Sequence, residues 1–144
     1  MKILICGLPG SGKTTLAERL TEEIANNFAV EWVNADEVRQ ATNDWDFTSE
    51  GRLRQAHRMR HIATAIEQRD IIAICDFVCP TRELRKIFDA DLVVWMDTIR
   101  SGRYEDTNQL FEPLSIEEYD FRITTFDDID QWSKTLADLV WILE

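Results

Sequence analysis

Gly7-Leu8-Pro9-Gly10-Ser11-Gly12-Lys13-Thr14 satisfies the pattern G-x-x-x-x-G-K-[ST] at every position. Before it, Lys2 to Cys6 is a short apolar run that reads as a fully buried strand. After it, Lys13 to Ala25 sets Leu16, Leu20 and Ile24 at helical spacing. A strand, a glycine turn and a helix in that order aim successive backbone N–H groups at phosphate oxygens. The helix N-terminus adds the positive end of its dipole. Lys13 is then placed to reach β- and γ-phosphates, and the Thr14 hydroxyl to ligate Mg²⁺. The expectation is a site for ATP and Mg²⁺ cradled by Gly7, Pro9, Gly10, Ser11, Gly12, Lys13, Thr14 and Thr15.

Outward from the loop, apolar runs alternate with helical patterns. Strands are expected at Ala29–Val33, Ile71–Cys75, Leu92–Met96 and, more weakly, Phe121–Thr125. A short helix follows Asn34-Ala35-Asp36 through Arg39. Thr48 or Ser49 caps a long helix to about Gln68, whose apolar stripe is Leu53, Ala56, Met59, Ala63 and Ile66. Pro80 suits the first turn of a helix ending near Phe88. Ile129–Leu143 reads as a terminal helix with Trp132, Leu136, Leu139, Val140 and Leu143 inward. Strands that are apolar throughout belong to parallel sheets covered on both faces. The expected fold is α/β: a three-layer P-loop NTPase fold with a mostly parallel sheet of about five strands flanked by helices. Residues 1–144 are expected to form one domain, with no repeat or linker.

Bulk properties narrow the function. The chain of 144 residues is 44% hydrophobic, enough for a core without disulfides. Cys6, Cys75 and Cys79 lack metal-site or disulfide spacing. No apolar stretch approaches the ~20 residues of a membrane span, and the expected location is cytoplasmic. A net charge of −11 disfavours nucleic acid as a partner. Basic residues nevertheless gather between Arg39 and Arg103, either as a solvated stretch or as a cleft for a small anionic substrate. Oligomeric state is left open, a homodimer included.

Candidate chemistry on the acceptor side begins at Asp36, at the end of the second strand, where open parallel sheets bind ligands. A carboxylate there can take a proton from an acceptor hydroxyl or hold a magnesium-bound water; the bland reading makes it a helix cap. Arg39 falls on the same side and suits an anionic group. Arg52 and Gln55 continue the buried stripe of the long helix, which places Arg52 in a crevice. Arg54, Arg58 and His61 fall on the opposite, solvated side. Asp76 follows an apolar strand in the manner of a Walker B carboxylate that holds magnesium through water.

These segments resemble the adenylylsulfate kinase (APS kinase) family. Asn34-Ala35-Asp36-Glu37-Val38-Arg39 is similar to its Asp-Gly-Asp-x-Val-Arg segment, and Phe47 to Arg52 to its Phe-Ser-Pro-Glu-Asp-Arg stretch. Phe77-Val78-Cys79-Pro80-Thr81-Arg82 is similar to Phe-Ile-Ser-Pro-x-Arg, and Met96-Asp97-Thr98 to a Val-Asp-Thr strand end. The resemblance implies transfer of the γ-phosphoryl group of ATP to the 3′-hydroxyl of adenylylsulfate. It implies Asp36 and Lys13 as catalytic residues, and Asp36, Arg39, Phe47, Arg52, Gln55, Phe77 and Cys79 around the acceptor. From the loop motif and the strand-end carboxylates, Thr14, Asp36 and Asp76 are the candidate metal residues, and Arg100 and Arg103 are candidates for the nucleotide. The chain departs from the pattern at Asn34, Cys79 and Asp76, and between Asp97-Thr98 and Phe111-Glu112-Pro113, where the family's mobile lid is longer. Asn34–Gln40 also resembles a segment of phage-type polynucleotide 5′-hydroxyl kinases, which share the chemistry. The third reading is a nucleotide-binding module without catalysis.

Overall fold

The computed structural model describes residues 1–144. Its elements are β1 (Lys2–Cys6), α1 (Lys13–Ile24), β2 (Val30–Asn34), α2 (Ala35–Thr42), α3 (Ser49–Glu67), β3 (Ile72–Asp76), α4 (Arg82–Phe88), β4 (Leu92–Met96), α5 (Glu105–Leu110), β5 (Phe121–Ile123) and α6 (Ile129–Leu143). The five strands lie in the order β2-β3-β1-β4-β5, and every neighbouring pair is parallel. Central β1 sets Ile3 opposite Ile74 of β3 on one side and Leu92 of β4 on the other.

Side chains alternate across a strand, so a strand covered on both faces must be apolar at every position. Leu4 and Cys6 of β1 pack with Met59 and Ala63 of α3 and Phe88 of α4. Ile3 and Ile5 meet Leu16 and Leu20 of α1 and Leu136 and Val140 of α6. Each such aliphatic side chain contributes about 1.5–3 kcal/mol when fully buried. The result is three layers: α3 and α4, the sheet, then α1 and α6. No helix is long and apolar enough to cross a membrane.

Several details differ from the sequence reading; α2 continues past Arg39 to Thr42 and β5 stops at Ile123. Leu53 is 37% exposed; the N-terminal part of α3 buries Gly51, Arg52 and Gln55 instead, because it faces a polar cleft rather than the sheet. Leu143 is exposed, since α6 lies along α1 and α1 ends at Ile24, leaving Phe28 to meet the last turn of α6 at Trp141. Helix α4 starts after Pro80, at Arg82, because the Thr81 hydroxyl accepts the Leu84 N–H and fixes the boundary. Helix α5 has no counterpart in the reading, its six residues being too few to display a period.

The loop from Asn43 to Thr48 is held unusually firmly. Asp44 accepts from Arg54 and Arg58, and Asp46 from Arg54. Arg58 is therefore ion-paired rather than freely solvated. At the start of α3 the Thr48 side chain accepts the Gly51 N–H, and a Cβ on Gly51 would lie 2.1 Å from the Asp46 carbonyl oxygen. Gly51→Ala is therefore expected to cost about 1–3 kcal/mol by overpacking, read as a lowered midpoint in urea denaturation. An unchanged midpoint would show that the loop yields freely.

Candidate active site

The loops after β1, β2, β3 and β4 all leave the C-terminal edge of the sheet. Together with the start of α3 and α5 they enclose a cavity of about 480 Å³. The phosphate loop sits at its centre because β1 is the central strand. Gly7, Gly10 and Gly12 adopt φ of 148°, 87° and 99°. Only glycine takes such angles without strain, and a Cβ on Gly7 would also lie 2.5 Å from the Met96 carbonyl oxygen. The loop is pinned by the Ser11 N–H to the Leu8 carbonyl and by the Thr98 hydroxyl to the Ser11 carbonyl.

Lys13 is buried, and its Nζ donates to the Leu8 carbonyl at 2.9 Å. Burial pulls its pKa below the usual lysine value, an effect opposed by Asp76 and Asp36. Pro9, Gly10, Lys13 and Thr14 line the cavity. Gly7, Ser11 and Gly12 build the loop from behind, and Thr15 is exposed outside the cavity. The Ser11 hydroxyl is fully buried with no hydrogen-bond partner. With the convergent loop and the nearby Lys13 ammonium, this orphan donor fits a phosphate-bearing ligand.

On the acceptor side Asp36 is exposed to the cavity. It does not cap α2; Asn34 does, its Oδ1 accepting the Glu37 N–H at 3.1 Å. That bond turns the Asn34 Nδ2 toward Asp76, 3.1 Å away on the neighbouring strand. Trp32 Nε1 donates to the same Asp76 oxygen at 2.6 Å. Asp76 is 3% exposed. Burial raises its pKa above the ordinary carboxylate value, against the opposing pull of Trp32, Asn34 and Lys13.

Arg39 is buried, and its Nη1 donates to the carbonyls of Asp44 and Asp46. Arg52 donates from Nε to the Phe47 carbonyl and from Nη2 to the Thr107 hydroxyl of α5. Both guanidinium carbons lie over the Phe47 ring, at 4.3 Å and 5.5 Å. Gln55 has both ends engaged, donating to the Ala35 carbonyl and accepting from Arg58. Phe77 stands edge-on to Phe88, a wall of the cavity that belongs to the core. Cys79 has φ 45° and is buried, with its carbonyl held by Arg85. Burial drives its thiol pKa well above the usual value.

The short segment after β4 folds back over the phosphate loop. Ile99 lies against Gly10, and Gly102 sits so close to Pro9 that a Cβ would come within 2.9 Å of the Pro9 carbonyl oxygen. Asn108 clasps Gly102 through both its N–H and its carbonyl. Arg103 lines the cavity, whereas Arg100 is exposed and outside it. Trp45, Tyr104, Asp106 and Thr107 also line the cavity and were missed by the sequence reading. A tryptophan between two aspartates in a polar loop was a usable signal for Trp45; the α5 residues offered none.

No group of three or more His, Cys, Asp or Glu side chains is arranged to hold a metal ion. Thr14, Asp36 and Asp76 suit a cation that draws its remaining ligands from phosphates and water, as Mg²⁺ does.

Residues 1–97 match the profile of the adenylylsulphate kinase family. A probable adenylyl-sulfate kinase of Aeropyrum pernix is 37% identical over 87 residues, 59% of this chain and 48% of that protein. The adenylyl-sulfate kinase of Halothermothrix orenii is 37% identical over 82 residues, 56% of this chain and 44% of that protein. The chain thus spans about half the length of the curated relatives it matches. The Mycobacterium tuberculosis APS kinase CysC, solved with AMPPNP and APS, superposes with a TM-score of 0.80 at 19% identity, covering 97% of this chain and 96% of that one, and so shares the fold. With the family profile matched from the first residue through β4, the chain belongs to the adenylylsulphate kinase family.

Proposed function

We propose that this chain transfers the γ-phosphoryl group of ATP to a hydroxyl of a small anionic molecule, and that the acceptor is the 3′-hydroxyl of adenylylsulfate. The observation that carries this reading is one cavity lined at once by Lys13 and Thr14 of the phosphate loop, by the exposed Asp36 carboxylate and by the buried Arg39 and Arg52. Family membership and the names of the relatives support the choice of acceptor.

Phosphoryl transfer needs little covalent help from the protein; positioning and charge stabilisation dominate. Asp36 accepts the proton of the acceptor hydroxyl as that oxygen attacks. Lys13 and the loop N–H groups stabilise charge on the transferred group. Bound Mg²⁺ would add further neutralisation of the phosphates, held through Thr14 and, by way of water, through Asp36 and Asp76. Arg39 commits only Nη1 to the protein, so Nε and Nη2 remain for an anionic group on the acceptor. Arg52 likewise keeps Nη1.

Asp36→Asn is expected to lower kcat by about 10² or more with ATP affinity kept, measured as ADP release with adenylylsulfate as acceptor. Equal turnover would remove Asp36 from the mechanism. Lys13→Ala should abolish most turnover, and wild-type rates in that variant would sink the kinase reading. A 5′-hydroxyl oligonucleotide run in parallel tests the polynucleotide alternative.

The charge state of Asp76 gives an independent check. A carboxylate with a raised folded-state pKa binds protons more tightly in the folded than in the unfolded chain, so its contribution to stability falls as pH rises from the ordinary value, 3.8, through the folded one. Relative to Asp76→Asn, the wild type should gain stability as pH is lowered from 7 toward 4, read from paired urea titrations. Parallel pH profiles would mean that Asp76 titrates normally.

A further inference from the structure

We propose that Gln55 is a positioning residue, which aims the Asp36 carboxylate by gripping the first turn of α2 and does not itself recognise the acceptor. This rests on Asp36 as the proton acceptor proposed above and adds the device that places it. Gln55 lines the cavity, yet it is only 3% exposed. Its Nε2 donates to the Ala35 carbonyl at 3.1 Å, and its Oε1 accepts from Arg58 Nη1 at 2.7 Å. The orientation of the amide is therefore dictated at both ends. A guanidinium has no acceptor and a carbonyl has no donor, so oxygen and nitrogen cannot change places. The bond from Arg58 is charge-assisted, the stronger kind. An amide so fixed has a single neutral N–H uncommitted, and the attraction for an anion comes instead from the Arg39 and Arg52 guanidinium groups.

The grip matters because Asp36 has no side-chain partner to hold it. Its carboxylate is exposed and takes part in no ion pair, so its place is set by the backbone beneath it. Ala35 opens α2 and directly precedes Asp36. The Asn34 cap, which accepts the Glu37 N–H, holds that turn at one point. The bond from Gln55, 20 positions along the chain, holds it at a second. Arg58, which lies outside the cavity, ties down the far end of the helix as well. Its Nη2 donates to the Asp44 carboxylate at 2.9 Å, and the Asp44 carbonyl accepts from Arg39 of α2. One guanidinium thus fixes both ends of α2 against α3.

The test is a kinetic cycle with ATP and adenylylsulfate on wild type, Gln55→Met, Asp36→Asn and the double variant. Methionine keeps the bulk of the buried side chain and removes both hydrogen bonds. Gln55→Met is expected to lower kcat by roughly tenfold to a hundredfold, the scale that a misplacement of about 1 Å carries. The KM for adenylylsulfate should stay within about twofold, since no binding contact is lost. In the Asp36→Asn background the same change should cost less than about threefold, because Gln55 acts through the group already removed. Gln55→Asn, one methylene too short to reach both partners, gives the same kcat loss by a second route should the methionine variant fold poorly. An unaltered kcat, a raised acceptor KM with kcat kept, or a full further loss on top of Asp36→Asn overturns this assignment alone. Wild-type kcat in Asp36→Asn, or a wild type silent with adenylylsulfate, overturns the proposed function and this assignment together.

Discussion

The rest of the molecule depends on one constraint: β1 is hydrogen-bonded to a strand on each side and covered by helices on both faces. Such a strand can end only by delivering its chain to the middle of the sheet's C-terminal edge. There the last backbone groups need partners, and Gly7 obtains one by donating to the Val78 carbonyl. The glycine loop that follows is therefore flanked from the start by the loops after β3 and β4. The cleft is a consequence of strand order before it is a consequence of any side chain.

Around that centre the chain uses arginine in two distinct ways. Arg54 and Arg58 neutralise the aspartates of the Asn43–Thr48 loop at its surface. Hydrogen bonds from Thr48 and then from Arg54 pull the Asp46 carboxyl down to about 2. Arg39 and Arg52 are buried and reach backbone carbonyls. Arg52 also meets the Thr107 hydroxyl and, at 3.9 Å, the Asp106 carboxylate, whereas the Arg39 guanidinium hydrogen-bonds only to neutral carbonyls and so keeps its positive charge at the cleft. That local excess coexists with an overall charge of −11, which shows how little net charge reveals about a single site.

Much of the fold was legible because it rests on local patterns. The bounds of β1, β4 and α6 follow from apolar runs and helical spacing, and Thr48 caps α3 through a contact three residues long. The unbroken apolar runs Ile3–Cys6 in β1 and Ile72–Cys75 in β3 announced a sheet covered on both faces. The site was legible where chemistry is written in a contiguous motif, as at Gly7–Thr14. It was illegible where it depends on distant partners. The bond from Asn34 to Asp76 joins positions 42 apart, and that from Arg52 to Thr107 joins positions 55 apart. Neither has a period or spacing to betray it. Leu53 misled for the complementary reason: its spacing matches the core stripe, but the sheet does not extend beneath that part of α3.

The segment between β4 and β5 is short, yet it touches both halves of the cleft. At one end Gly102 and Ile99 rest on Pro9 and Gly10 of the phosphate loop. A few residues on, Thr107 accepts the Arg52 guanidinium on the far wall. This one strut links the position of the phosphate loop to that of the far wall. Whatever free energy one ligand contributes by seating the strut is available to the other, with the same magnitude in either order of addition. A short cover can thus still join both walls of a cleft, by fewer bonds than a long one.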